Sequence, residues 1–154
     1  MNSSHIALIA VLSFSAITVA SDVTISDKKL APIFEAASAG DTAALEAELK
    51  KGVDPNKLDE ESGLSALHYA VAGNHQDAIK LLIKYKANVN LKSKEKWTPL
   101  HWAALMEQPE AAQLLIQAGA KRGKMGIKGR KALDLTKKKE VRDIIQKAKV
   151  EPGD

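Results

Sequence analysis

Apolar and polar positions along this chain fall into two regimes. Ile6 to Ala20 is an apolar run interrupted only by Ser13, Ser15 and Thr18. Beyond Pro32, short apolar segments alternate with polar stretches at a fixed period. Ser65-Ala-Leu-His-Tyr-Ala-Val71 returns 33 residues later as Thr98-Pro-Leu-His-Trp-Ala-Ala104. The following lines match too: Ala78-Ile-Lys-Leu-Leu-Ile-Lys-Tyr-Lys-Ala-Asn-Val-Asn90 answers to Ala111-Ala-Gln-Leu-Leu-Ile-Gln-Ala-Gly-Ala120. Local signals set the helix ends. Pro32 suits a first helical turn, because its missing N–H would be an orphan there, and Gly40 supplies a left-handed stop. Asp41 is placed to cap a helix from Thr42 to Lys51 that ends at Gly52. Further helices are predicted from about Ser65 to Gly73, from Gln76 to Tyr85, from Pro109, and from Glu140 to Lys149. In the last of these Val141, Ile144 and Ile145 share one face at helical spacing.

A recurrence of Thr/Ser-Pro/Ala-Leu-His at this period, each followed by Leu-Leu and then Gly/Ala-Asn, resembles the ankyrin repeat. The motif positions are Leu67, His68 and Ala70 in one repeat and Thr98, Pro99, Leu100, His101 and Ala103 in the next. The resemblance covers about residues 31–149 and implies an all-α solenoid of about four helix-pair units with loop fingers. Two central repeats, 57–90 and 91–121, are flanked by caps at 31–56 and 122–149. In the first cap Ile33 and Phe34 stand where later repeats have Leu-His. The last cap has Asp134 in the histidine position. Within the pattern, Gly63 is expected to supply a positive φ, Asn74 stands in for glycine between helices, and Lys96 and Glu107 replace glycines. Such an array is stabilised mainly through neighbouring repeats, so modest stability and cooperative unfolding are expected.

The apolar N-terminal run reads as a signal peptide, residues 1–20, ending in the small residues Thr18-Val19-Ala20. A helix of these fifteen residues would span roughly 22 Å, short of the ~30 Å hydrocarbon core. The segment before it carries no Lys or Arg, which leaves an uncleaved anchor as the alternative. Residues 21–30 form a polar lead-in and 150–154 a tail. Cysteine is absent, which excludes an acylated lipoprotein site, disulfides, thiolate metal sites and thiol catalysis. Together these features fit a short, exported bacterial protein, located in the periplasm or secreted.

The histidines invite a metal or general-base reading. His68 and His101 lie one repeat apart, however, and packed helices stand about 8–10 Å from axis to axis. Two imidazoles at that distance do not share an ion with ~2.1 Å bonds. Each is expected instead to bond Ser65 or Thr98 and backbone amides at the neck of its loop, with His75 at a helix start. Gly123-Lys-Met-Gly126 and Gly126-Ile-Lys-Gly129 are basic, but the phosphate-loop pattern and its preceding strand are missing. No nucleophile–base pair or paired carboxylate appears, so neither an enzyme, a metal nor a cofactor is expected.

Charge is distributed unevenly. Residues 121–149 carry twelve Lys or Arg against Asp134, Glu140 and Asp143, a net +9, while residues 21–90 carry a net −3. The whole chain's +4 hides that end-to-end difference. It reads either as a solvated cap or as an electrostatic contact for an acidic partner, acting within about 8 Å at ~0.15 M salt. With few aromatics to stack on bases and no recognised motif, nucleic acid is not the expected partner. Anionic lipid ranks below protein, and a monomer is expected.

The resemblance implies binding through a concave face of loop tips and inner helices. Here that means Asp59, Glu60, Glu61 and Leu64 on the first loop, and Lys92, Lys94, Lys96 and Trp97 on the second. Lys124, Lys128 and Arg130 lie on the third, and Ala72, Gly73, Leu105 and Met106 on inner helices. Trp97 is either an exposed anchor or a ring folded over the Lys94 and Lys96 stems. Tyr69 and Trp102 read as packing between repeats. The expected function is non-catalytic protein binding. Bacterial proteins of this layout include toxin inhibitors or immunity factors and supports of envelope redox enzymes, and the sequence leaves those roles open.

Overall fold

The computed structural model describes residues 30–123, 126 and 129–147. The expected signal peptide, the lead-in up to residue 29, Lys124, Lys128 and the tail lie outside the described residues. Among the described residues there are seven α-helices, one 3-10 turn and no strand.

The helices come in pairs whose ends follow from local chemistry. Helix α1 (Pro32–Ala39) opens with proline and closes at Gly40, at a φ of 70°. Helix α2 (Thr42–Lys50) is capped by Asp41, whose Oδ1 accepts the Ala44 N–H at 2.9 Å. A cap of this kind contributes about 1 kcal/mol. Helices α3 (Ala66–Ala72) and α4 (Gln76–Lys84) form the second pair, α5 (Pro99–Leu105) and α6 (Pro109–Gln117) the third. In the fourth unit the inner element is only a 3-10 turn, Ala132–Leu135, followed by α7 (Lys139–Lys147). Thr136 already has extended backbone, which leaves four residues for the inner element, too few for an α-helix to settle.

Two layers result. The inner layer is α1, α3, α5 and the 3-10 turn, each packed on the next, and the outer layer is α2, α4, α6 and α7. Leu45, Leu67, Ile79, Leu82, Leu100, Leu115 and Ile145 are buried between them. Ala37, Ala70 and Ala103 are fully enclosed, and their small side chains let inner helices approach closely. Of the apolar face expected on α7, Val141 and Ile145 are buried, while Ile144 is half-exposed at the rim.

The left-handed positions recur in register. Gly63 has φ of 67°, and Lys96, which takes its place one repeat later, has 62°. Asn74 and Glu107 hold 57° and 55° at the turn between paired helices. A side chain in this region costs roughly 1–2 kcal/mol relative to glycine. Lys86, at φ of 65°, is a further case. Gly52 and Gly119 stand at the same register and were the available signal for it.

Candidate functional site

The finger loops project from the start of each inner helix, and histidines fix their necks. His68 is fully buried. Its Nδ1 accepts the Ser65 N–H at 3.2 Å and faces the Ser65 hydroxyl at 2.8 Å. Its Nε2 lies 3.0 Å from the Trp97 carbonyl. His101 repeats the pattern with Thr98, at 3.2 and 2.8 Å, and with the Arg130 carbonyl at 3.2 Å. Donors on Nδ1 and an acceptor at Nε2 select the neutral ring carrying its hydrogen on Nε2. Burial holds His68 down to about 4, so the ring stays uncharged at neutral pH and is fully occupied as a clamp. The expected bonds to Ser65 and Thr98 are present. The bond to the next finger was missed, although a 29-residue step from histidine to acceptor follows directly from the period. His75 starts α4 without capping it, and its Nε2 donates to the Ser38 carbonyl at 2.9 Å. Among the described residues no cluster of three metal-ligating side chains occurs.

The first finger (Leu58 to Leu64) is closed by Asp59 N–H to the Leu64 carbonyl at 2.8 Å and by an internal polar network. The Asp59 Oδ2 accepts the Ser62 N–H at 2.9 Å, the Ser62 hydroxyl at 2.5 Å and the Tyr69 hydroxyl at 3.3 Å. Partial burial pushes the Asp59 carboxyl up, but the hydrogen bonds from Ser62 and Tyr69 outweigh it and hold it below the usual range. Burial pushes the Tyr69 hydroxyl up to about 12. Asp59 is therefore a brace rather than a contact residue. Tyr69 also packs on Phe34, ring centroids 5.8 Å apart, as expected of an inter-repeat aromatic.

Four more expected contact residues need correction. Leu64 is only 2% exposed, because it turns inward where the finger meets α3. Ala72 is likewise buried. Lys94 does reach out, but its ammonium donates to the Glu60 carbonyl and, at 3.0 Å, to the Glu61 carbonyl. It ties the second finger to the first, and Gly63 leaves room for its stem: a Cβ there would lie 2.4 Å from the Lys94 Cγ. Trp97 is half-buried and takes neither expected course. Its ring meets Trp102 edge-on at 5.8 Å and lies 6.4 Å from His101. It seals the seam toward Gly126, whose added Cβ would lie 3.3 Å from it.

What remains on this side is polar at one end and apolar in the middle. Glu60, Glu61, Lys96 and Arg130 are exposed, and Lys92 and Met106 half-exposed. Leu105, at the end of α5, is 40% exposed, where the matching residue of α3 is the buried Ala72. Lys128 lies outside the described residues. Leu67, Ala70, Pro99, Leu100 and Ala103 are all buried, as motif positions should be.

A family model for ankyrin repeats, in three copies, matches residues 33–124. The chain is 44% identical to the Homo sapiens protein phosphatase 1 regulatory subunit 27 over 61 residues, 40% of either chain. It is 35% identical over 88 residues to the Mus musculus RelA-associated inhibitor, covering 57% of this chain and 11% of that one. With the Homo sapiens ankyrin repeat and SOCS box protein 16 it shares 33% over 99 residues, 64% of this chain and 21% of the other. It thus spans well under two thirds of each relative's length.

Proposed function

The chain belongs to the ankyrin-repeat family, and we propose on that premise that it acts without catalysis, by binding another protein. The binding face is the finger side and the adjoining ends of the inner helices. The observation that carries this is Leu105, 40% exposed beside Met106, on an inner-helix end that the preceding repeat finishes with small residues. An apolar side chain held out by a rigid helix contributes its burial only when a partner covers it, about 1 kcal/mol for the 40% of Leu105 still exposed. Glu60 and Glu61 on one side and Lys96 and Arg130 on the other would fix the partner's orientation. Lys96 supports the reading further, since it keeps a left-handed backbone (φ 62°) where glycine would be easier. Backbone strain of this kind collects at functional positions.

A regulatory or inhibitory role toward the bound protein fits the naming of two relatives, a regulatory subunit and an inhibitor. Export through the N-terminal apolar segment, giving a periplasmic or secreted protein, belongs to the same proposal. N-terminal sequencing of the mature chain tests the cleavage: a start at Ser21 supports it, and an intact Met1 refutes it in favour of the uncleaved anchor. The binding face is tested by capture with the full chain and with a Leu105→Glu, Lys96→Glu, Glu61→Lys variant of equal helicity. A protein held by the native chain and lost by the variant supports this face. Equal retention by both would place the contact elsewhere.

A further inference from the structure

The fourth unit is the most cationic part of the chain, and its cations divide by what they do. Arg122 donates from Nη1 to the carbonyls of Ile145 and Gln146, at 3.1 and 3.2 Å, closing the end of α7. Arg142 donates to the carbonyls of Leu133 and Thr136, at 3.3 and 3.2 Å, holding the 3-10 turn against α7. Lys138 reaches Glu140 at 3.8 Å, and Lys147 reaches Asp143 at 3.7 Å. Asp134 accepts the Lys131 N–H at 2.8 Å. With these bonds all three acids of the unit are engaged.

The side chains of Arg130, Lys131, Lys137 and Lys139 take no part in that bracing, and these residues are exposed. They flank one short turn. The turn between them has four residues at about 2 Å rise, so Lys131 and Lys137 stand no more than ~15 Å apart. At a screening length of about 8 Å they act as two adjoining pairs, Arg130 with Lys131 and Lys137 with Lys139, both within reach of one extended chain. Stability does not explain them either. Lys137 and Lys139 flank the start of α7, where the helix dipole favours acids and disfavours cations. Glu or Gln would make an equally soluble cap without that cost. Residues that break a local rule without a structural gain point to use.

We propose that Arg130, Lys131, Lys137 and Lys139 form a docking surface for an acidic stretch of a protein partner. This rests on the reading of the chain as a protein-binding module. Arg130 sits at the base of the third finger, so the surface continues the proposed binding face toward the C-terminal end. An extended stretch of about five residues spans it at ~3.3 Å per residue. The chemistry favours protein over the other polyanions. Residues 121–147 contain no Phe, Tyr or Trp to stack on bases. Among the described residues, the exposed large hydrophobics Leu58 and Leu105 lie outside this unit, so its described residues present none to insert into lipid.

The test uses the full chain and a labelled peptide of alternating Glu and Asp, followed by fluorescence anisotropy at low salt and at about 0.15 M. The peptide should bind, more weakly at the higher salt. A Lys131→Glu, Lys137→Glu, Lys139→Glu variant should lose about tenfold in affinity or more. A Lys57→Glu, Lys84→Glu, Lys86→Glu variant, of identical net charge, should keep most of it. The first variant should also melt no lower than the native chain, since acids suit the start of α7. If it unfolds, the Lys→Gln triple at the same positions takes its place with the same expectation. Equal loss in both charge variants, or no binding by the native chain at low salt, overturns the proposal. So does tighter binding of duplex DNA or of phosphatidylglycerol vesicles than of the peptide. The Leu105→Glu, Lys96→Glu, Glu61→Lys variant should still bind the peptide, so the two proposals fail separately.

Discussion

Acidification is expected to unfold this array through a histidine rather than through its carboxylates. His68 has its ring enclosed, with Nδ1 accepting from Ser65 and Nε2 donating to Trp97. Protonation would put a second hydrogen on Nδ1, facing the Ser65 N–H, and would charge a fully buried ring. The folded-state value of about 4 lies well below the ordinary 6.5 of an exposed histidine. Between those two values the unfolded chain binds a proton that the folded chain refuses. Stability therefore rises with pH through this window, is fully present above about 6.5 and is lost as pH falls to about 4. The gap between 6.5 and about 4, at 1.36 kcal/mol per pH unit, amounts to about 3 kcal/mol. That is a large share of the ~5–15 kcal/mol typical of a domain. Asp59 acts only lower down, since its depressed value puts its loss below the ordinary carboxylate range. The assay is urea unfolding followed by circular dichroism at a series of pH values from 7 to about 4. The native chain should lose up to 1.4 kcal/mol per pH unit in this window to His68. His68→Gln should be less stable at pH 7 but flatter, by one proton's worth of slope. An equal slope in the variant, or a native chain indifferent to pH down to about 4, would refute the account.

The remaining expectations concern packing and backbone. Leu82→Ala or Leu115→Ala, both at fully buried sites, should cost about 2–5 kcal/mol and shift the single urea transition accordingly. Glu107→Gly should raise the melting temperature, by about 1 kcal/mol of stability, because φ of 55° is easier without a Cβ. Lys94→Ala should leave global stability within about 1 kcal/mol. It should nonetheless speed amide exchange across Glu60 to Gly63, whereas unchanged exchange would mean the first finger holds itself.

The sequence by itself determined the period, the helix ends and the family likeness. Each of these is a local matter. Pro32, Asp41 and Pro109 start helices because of their own bonding, and Gly40, Gly63 and Asn74 end or turn them because of their own φ. The Leu-His motif also announced a neck bonded to Ser65 and Thr98, three residues away. Only the tertiary structure decided which finger residues are exposed. Leu64 and Leu105 are both leucines near element ends, yet one is sealed under a finger and the other held out. Lys94 and Trp97 looked like contacts from their place on a loop tip. They turned out to be a strut on Glu60 and Glu61 and a seal over His101 and Trp102. Partners of this kind lie as many as 34 residues away along the chain, and only the stacking of one repeat on the next brings them within bonding distance. Exposure in a repeat array is a property of the interface between neighbours, so no single repeat's sequence contains it.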